Sequence, residues 1–184
     1  MTVSLSMTDY DLSFTRSIPL KFTKFPGGER NVTVEHNDYS IEFGYDRAYI
    51  ECDFRGSDDL IDVLLVANAV RHWAGSEIKL DLNIPYFPCA RQDRVANSGE
   101  SNGAQVVAAL LNSVGFSRIF CLDPHSDVLE NLFPPGVFRP TRQHEIWHTQ
   151  VRSICFKNQP ETALVAPDAG AVKKLLKLAK STCI

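Results

Sequence analysis

From residue 47 to residue 123 the chain alternates between short apolar runs and longer segments of helical period, and no other feature limits its fold so tightly. "RAYIECDF" (47–54), "EIKLDLNIPYF" (77–87) and "RIFCLD" (118–123) have the length and composition of strands. Between them, "GSDDLIDVLLVANAVRHWAG" (56–75) and "NGAQVVAALLNSVG" (102–115) read as helices. In the first helix Ser57 is placed to cap, Asp58 and Asp59 suit the positive end of the dipole, and Gly75 can close it. Its apolar positions 60, 61, 64, 67 and 70 predict the buried face. Crossovers of this length return the chain to the start of a parallel neighbour. The pattern predicts an α/β fold with helices on both faces of a parallel, Rossmann-like sheet.

Outside that block, "DYSIEF" (38–43) and "TALVAP" (162–167) read as strands. "SDVLENLF" (126–133) reads as a short helix, and "HEIWHTQVRSICF" (144–156) and "AGAVKKLLKLAK" (169–180) as longer ones. "PPGVFRPTRQ" (134–143) reads as a proline-rich connection and as the domain boundary. Residues 1–140 then form one domain. Residues 141–184 read as the beginning of a second, similar domain, because the elements left cannot close a core.

The 184 residues carry a net charge of −3, so no global basic field points to nucleic acid or an anionic membrane. Any phosphate site must be local. The five cysteines are widely spaced without a CxxC. Cys52 and Cys121 fall in apolar runs, as small hydrophobes would, so a reducing, cytoplasmic setting is expected. "MTVSLSMTDYDLSF" lacks the basic and apolar regions of a signal peptide, and no run has the length of a membrane span.

In an open parallel sheet, ligands gather beyond the carboxyl ends of the strands. Three such ends carry polar clusters. "YFPCARQDR" (86–94) leaves a buried strand and at once presents Arg91, Gln92, Asp93 and Arg94. Guanidiniums there can hold phosphate oxygens by bidentate hydrogen bonds, or can make ion pairs in a solvated loop. "LDPHSD" (122–127) places His125 among Asp123 and Asp127, a set able to meet a divalent ion or a phosphate. The plainer reading is a turn in which Asp123 or Ser126 caps the next helix. "APDAGAVKK" (166–174) puts Asp168 before a helix whose free amides suit an anion, although a capping aspartate looks the same. "FPGGE" (25–29) is a glycine turn with Phe25 and Glu29 beside it. His144, Glu145 and His148 spell HExxH, a zinc-site spacing with no third ligand in view.

Taken together, "IPYFPCARQDR", "LDPHSD" and "APDAGAVKK" resemble, in order and separation, the motifs of the ribose-phosphate diphosphokinases. The resemblance runs from about Phe22 to Ala179, and "ARQDRVANSGES" is similar to a branch found in some bacteriophages. It implies transfer of the β,γ-diphosphoryl group of ATP to the anomeric hydroxyl of ribose 5-phosphate, with release of AMP. It gives ATP contacts to Arg91, Gln92 and Asp93, and the Mg²⁺–phosphate assembly to His125 and Asp168. Phe25 and Glu29 would reach the adenine in a neighbouring subunit's site, which implies a homo-oligomer. The chain departs from the family pattern at Ala96 (an acidic residue in the family), at Pro124 and at Ala171. The family's basic catalytic strand and acidic ribose-phosphate loop fall beyond residue 184. The expectation is therefore an ATP-binding half that is inactive alone and joins a complementary C-terminal piece. The alternative is a non-catalytic regulatory or assembly subunit of a complete synthetase.

Overall fold

The structure is a computed structural model, and it describes residues 2–9, 15–35, 44–158 and 163–182, without the side chains of 155–158. The expected strand over 38–43 lies outside the described residues. The chain divides into two compact units, Met1–Arg139 and Pro140–Ile184.

The first unit is built on a sheet whose strands are β1 (Val3–Asp9), β2 (Thr15–Ile18), β5 (Tyr45–Cys52), β6 (Lys79–Asn83), β7 (Arg118–Leu122) and β8 (Phe138–Thr141), in the order β2-β1-β5-β6-β7-β8. The α/β class is as the sequence predicts: β5, β6 and β7 are parallel. The amino-terminal side adds what the sequence reading missed. β1 pairs antiparallel with both β2 and β5. The signal was present, since Val3, Leu5 and Met7 alternate with polar residues and are all buried. A separate antiparallel hairpin, β3 (Leu20–Lys24) and β4 (Arg30–Val34), flanks the glycine turn over 25–29. β8 corrects the reading of "PPGVFRPTRQ" as connection alone: Phe138 is buried and stacks on Phe133, with both rings edge-on to Phe87.

The crossovers are α1 (Ser57–Ala74), between β5 and β6, and α2 (Gly103–Val114), between β6 and β7. Both advance in the same direction across the sheet, so a common right hand puts both helices on one face rather than on two. Arg71 of α1 donates to the carbonyls of Val114 (2.5 Å) and Gly115 (3.3 Å) at the end of α2, which fixes the two helices side by side. Under them lie Val3, Leu5 and Met7 of β1, Ala48, Ile50 and Cys52 of β5, Leu80 and Leu82 of β6, and Ile119 and Cys121 of β7, all at most 2% exposed. Burial of this kind pushes the Cys52 thiol up to about 12, with the carboxylates of Asp59, Asp53 and Asp62 adding to the effect.

The opposite face of the parallel strands carries Tyr49, Asp81 and Arg118 in register. Asp81 is charged and yet only 1% exposed. Two guanidiniums make that burial possible. Arg47 Nη1 donates to both Asp81 oxygens at 3.0 and 2.9 Å, and Arg118 donates from Nε and Nη2 at 3.0 and 2.5 Å.

The cap of helix α1 lies one residue earlier than expected. Gly56 is the N-cap, and Asp59 Oδ2 accepts from the amides of Arg55 (2.7 Å) and Gly56 (2.9 Å). Its buried face is 59, 62, 63, 66, 67 and 70, so Ile61 turns outward at 45% exposure. Buried Asp62 faces the hairpin, where Arg30 meets it with a bidentate pair and so ties β4 to α1. The segment expected as a helix over 126–133 is a shorter 3-10 turn, Leu129–Leu132.

The second unit holds α3 (Gln143–Asn158) and α4 (Val172–Thr182), packed on each other. Residues 163–166, expected as part of a strand, have no regular structure. Strand-forming residues need a neighbouring strand to pair with, and none of the described residues provides one.

Candidate functional site

The site is assembled where β6 and β7 end. After β6, buried Ile84 and Phe87 anchor the chain, and Cys89 then takes a left-handed conformation, φ 57°. That turn is closed by Gln92 N–H donating to the Cys89 carbonyl at 2.8 Å. The loop is next held against the start of α2, where Ala104 N–H donates to the Gln92 carbonyl at 3.1 Å. Helix α2 is capped by Asn102, whose Oδ1 accepts from Gln105 N–H at 3.0 Å. Gly103 is the contact point. A Cβ there would lie 2.2 Å from Gln92 Oε1 and 2.9 Å from Cys89 Cβ. Arg91 and Gln92 are thus carried outward on a pinned turn and are exposed.

After β7, Asp123 is the other non-glycine residue with positive φ among the described residues, at 39°. Strained backbone thus stands at the end of each of the two adjacent strands. Pro124 is buried and His125 is exposed. Ser126 is half-buried and acts in two directions. Its Oγ accepts from Val128 N–H at 3.2 Å and donates to Asp93 Oδ2 at 2.5 Å. Ser126 does not cap the short helix as expected, since Val128 is its N-cap and makes no side-chain cap bond; the serine instead closes a local turn and bonds to the neighbouring loop. The Ser126 hydroxyl holds the Asp93 carboxyl below the usual carboxylate range, with the charges of Arg94 and His125 acting in the same sense and burial opposing.

The structure therefore brings together Arg91, Gln92, Asp93 and His125, but gives them different parts. Arg91, Gln92 and His125 face solvent, whereas the Asp93 side chain is 5% exposed and engaged with Ser126 and, at 3.8 Å, with Arg94. Ala96, where the family pattern has an acid, has its amide 3.0 Å from Glu100 Oε2, which also accepts from Asn97 N–H at 3.1 Å. Phe25 and Glu29 close the hairpin turn by Phe25 N–H donating to the Glu29 carbonyl at 2.8 Å. Phe25 is 49% exposed. Asp168, in the second unit, behaves as a capping residue: its Oδ1 accepts from Ala171 N–H at 2.9 Å ahead of α4.

Within the HExxH segment the side chains make local contacts. Glu145 Oε2 accepts from Arg142 N–H at 2.6 Å, and both ring nitrogens of His148 lie at hydrogen-bond distance from Glu145 O (3.0 Å) and Thr149 Oγ1 (3.1 Å). Among the described residues no three His, Cys, Asp or Glu side chains gather as a metal cage. Asp123, His125 and Asp127 share one short loop beyond β7 but are not gathered into a cage. Sequence reasoning missed Gly103, read only as the start of a helix, and the bond from Ser126 to Asp93. It also missed the ring pair of Phe54 and Tyr86, 6.4 Å apart beyond β5 and β6.

The family model for the N-terminal domain of ribose phosphate pyrophosphokinase matches residues 12–115. A ribose-phosphate pyrophosphokinase of Porphyromonas gingivalis is 34% identical over 158 residues, covering 85% of this chain and 47% of that protein. One from Pyrococcus abyssi is 28% identical over 165 residues, covering 89% and 53%. The crystal structure of phosphoribosylpyrophosphate synthetase from Mycobacterium smegmatis superimposes with a TM-score of 0.68 at 22% identity, covering 91% of this chain and 53% of the other, and that likeness supports the fold. The chain spans about half the length of these relatives.

Proposed function

Since the chain belongs to the ribose-phosphate pyrophosphokinase family, we propose that it supplies the ATP-binding half of a site that transfers the β,γ-diphosphoryl group of ATP to ribose 5-phosphate, releasing AMP. The observation that carries this reading is the meeting of the loops after β6 and β7, joined through Ser126 and Asp93, with Arg91, Gln92 and His125 presented to solvent at the carboxyl ends of parallel strands. Arg91 holds phosphate oxygens through its planar fork, and Gln92 orients the nucleotide by hydrogen bonds. His125 is the residue of this loop pair that would hold a magnesium–phosphate assembly, and the family pattern gives a magnesium role to Asp168 as well. When bound, the ion neutralises charge on the transferred group. Phe25 and Glu29, exposed on the hairpin turn, reach the adenine of another subunit's site, which makes the working form a homo-oligomer. The bonds that break and form lie between phosphate oxygens and the sugar hydroxyl, so the protein's part is positioning and charge compensation. The isolated chain is inactive in this reading.

Calorimetry with Mg·ATP tests it. The wild-type chain binds weakly, and Arg91→Ala binds at least about tenfold more weakly, as loss of a charge-assisted contact requires. Equal affinities would remove Arg91 from the site. Incubation of the isolated chain with ATP and ribose 5-phosphate releases no AMP, and steady turnover would contradict the assignment of half a site.

A second reading, a non-catalytic assembly subunit, draws on the second unit's surface. Trp147, Ile154, Val165, Val172 and Leu176 are all at least 41% exposed within a short stretch of chain, a surface suited to association. Co-elution with a full-length relative, together with absent nucleotide binding, would favour it.

A further inference from the structure

The loops after β6 and β7 are held in different ways on their outer sides. The first is pinned to α2 through the Gln92 carbonyl and the Gly103 contact. The second leaves β7 through strained Asp123 and buried Pro124, then exposes His125. Between the strands themselves, the last backbone bonds are Ile84 N–H to the Phe120 carbonyl (2.9 Å) and Leu122 N–H to the Pro85 carbonyl (3.0 Å). Beyond Leu122 the chain bearing His125 moves away from the ladder. A bond that crosses back is Ser126 Oγ–H to Asp93 Oδ2 at 2.5 Å, between residues 33 apart in sequence.

We infer that Ser126 and Asp93 form a strut that sets His125 against Arg91 and Gln92, so that both are positioning residues and Asp93 is not itself a nucleotide ligand. Three observations support this. The Ser126 hydroxyl is directional: it accepts from Val128 N–H and so directs its one proton to Asp93. Asp93 is buried in a charged loop whose other polar residues are exposed, as befits a carboxylate engaged with protein donors. Each end of the strut adjoins a residue presented to solvent, Gln92 next to Asp93 and His125 next to Ser126. This hydrogen bond therefore ties the two exposed groups to one another through the backbone. The inference rests on the proposed function only for what the strut serves. Whether the strut exists is independent of it.

The test separates these two questions. Amide hydrogen exchange over residues 123–128 is compared for wild type, Ser126→Ala, Ser126→Thr and Asp93→Asn, each checked by thermal melting. Mg·ATP affinity is measured on the same samples. The strut predicts that Ser126→Ala speeds exchange at Val128 and its neighbours about tenfold while the melting transition stays cooperative. Ser126→Thr, which keeps the hydroxyl, restores protection. Affinity for Mg·ATP falls in parallel with lost protection, by similar factors in Ser126→Ala and Asp93→Asn. Unchanged exchange in folded Ser126→Ala would overturn the strut. A loss of affinity confined to Asp93→Asn would instead make Asp93 a ligand and overturn its positioning role. If wild type fails to bind Mg·ATP, the nucleotide reading falls and the exchange data alone decide whether the strut exists. Ser126→Ala remains informative even if Asp93→Asn does not fold.

Discussion

Gly103 is the residue on which the outward placement of Arg91 and Gln92 most depends. A methyl group at this position can push the flexible end of Gln92 aside, but it also meets Cys89 Cβ at 2.9 Å, which sits on a left-handed turn with no slack. Gly103→Ala is expected to keep the fold, to lower Mg·ATP affinity several-fold, and to shift the amide resonances of residues 89–92. A two-dimensional amide spectrum with a calorimetric titration checks this, and unaltered loop resonances would show that the contact is loose. At this scale the sequence revealed identity but not company. The exposed placement of Arg91, Gln92 and His125 just after buried strands was legible from their polar chemistry. The burial of Asp93 against Ser126 was not. Whether a carboxylate faces solvent or a serine hydroxyl 33 residues away is set by strand register, which local pattern does not encode.

The helices were legible from their length, capping residues and glycine stops, and the parallel strands from their short apolar runs. What escaped were elements whose pattern is real but short, such as β1 and the hairpin, and those whose burial depends on a partner. Asp81 shows the second case: its alternation reads as solvent-facing until Arg47 and Arg118 are placed on the neighbouring strands. The cap of α1 yields a testable consequence. Burial alone would raise the Asp59 pKa, but hydrogen bonds from Thr2, Arg55 and Gly56 and the charge of Arg30 hold it below the usual carboxylate range. A carboxyl depressed in the folded state adds stability above its unfolded pKa of about 4 and loses that contribution as pH falls through the folded value. Asp59→Asn is therefore expected to cost about 1 kcal/mol at pH 7, and the gap from wild type should close below about pH 4. Melting temperatures of both proteins from pH 2 to 7 check this, and a gap independent of pH would mean that the charge of Asp59 is immaterial.

On the scale of the whole molecule, the two units differ in how much they can hold by themselves. The unit Met1–Arg139 contains nearly all of the buried apolar side chains and both loops of the candidate site. Among the described residues of Pro140–Ile184 the buried ones are Leu178 and Thr182, and several large apolar side chains are exposed. No helix among the described residues is long and apolar enough to cross a membrane. The most direct measurement is paramagnetic broadening of backbone amide resonances by Mn²⁺ added with ATP. The account predicts broadening centred on residues 89–94 and 123–127 that requires both metal and nucleotide. Broadening centred on His144 and His148, or none at the loops after β6 and β7, would contradict it.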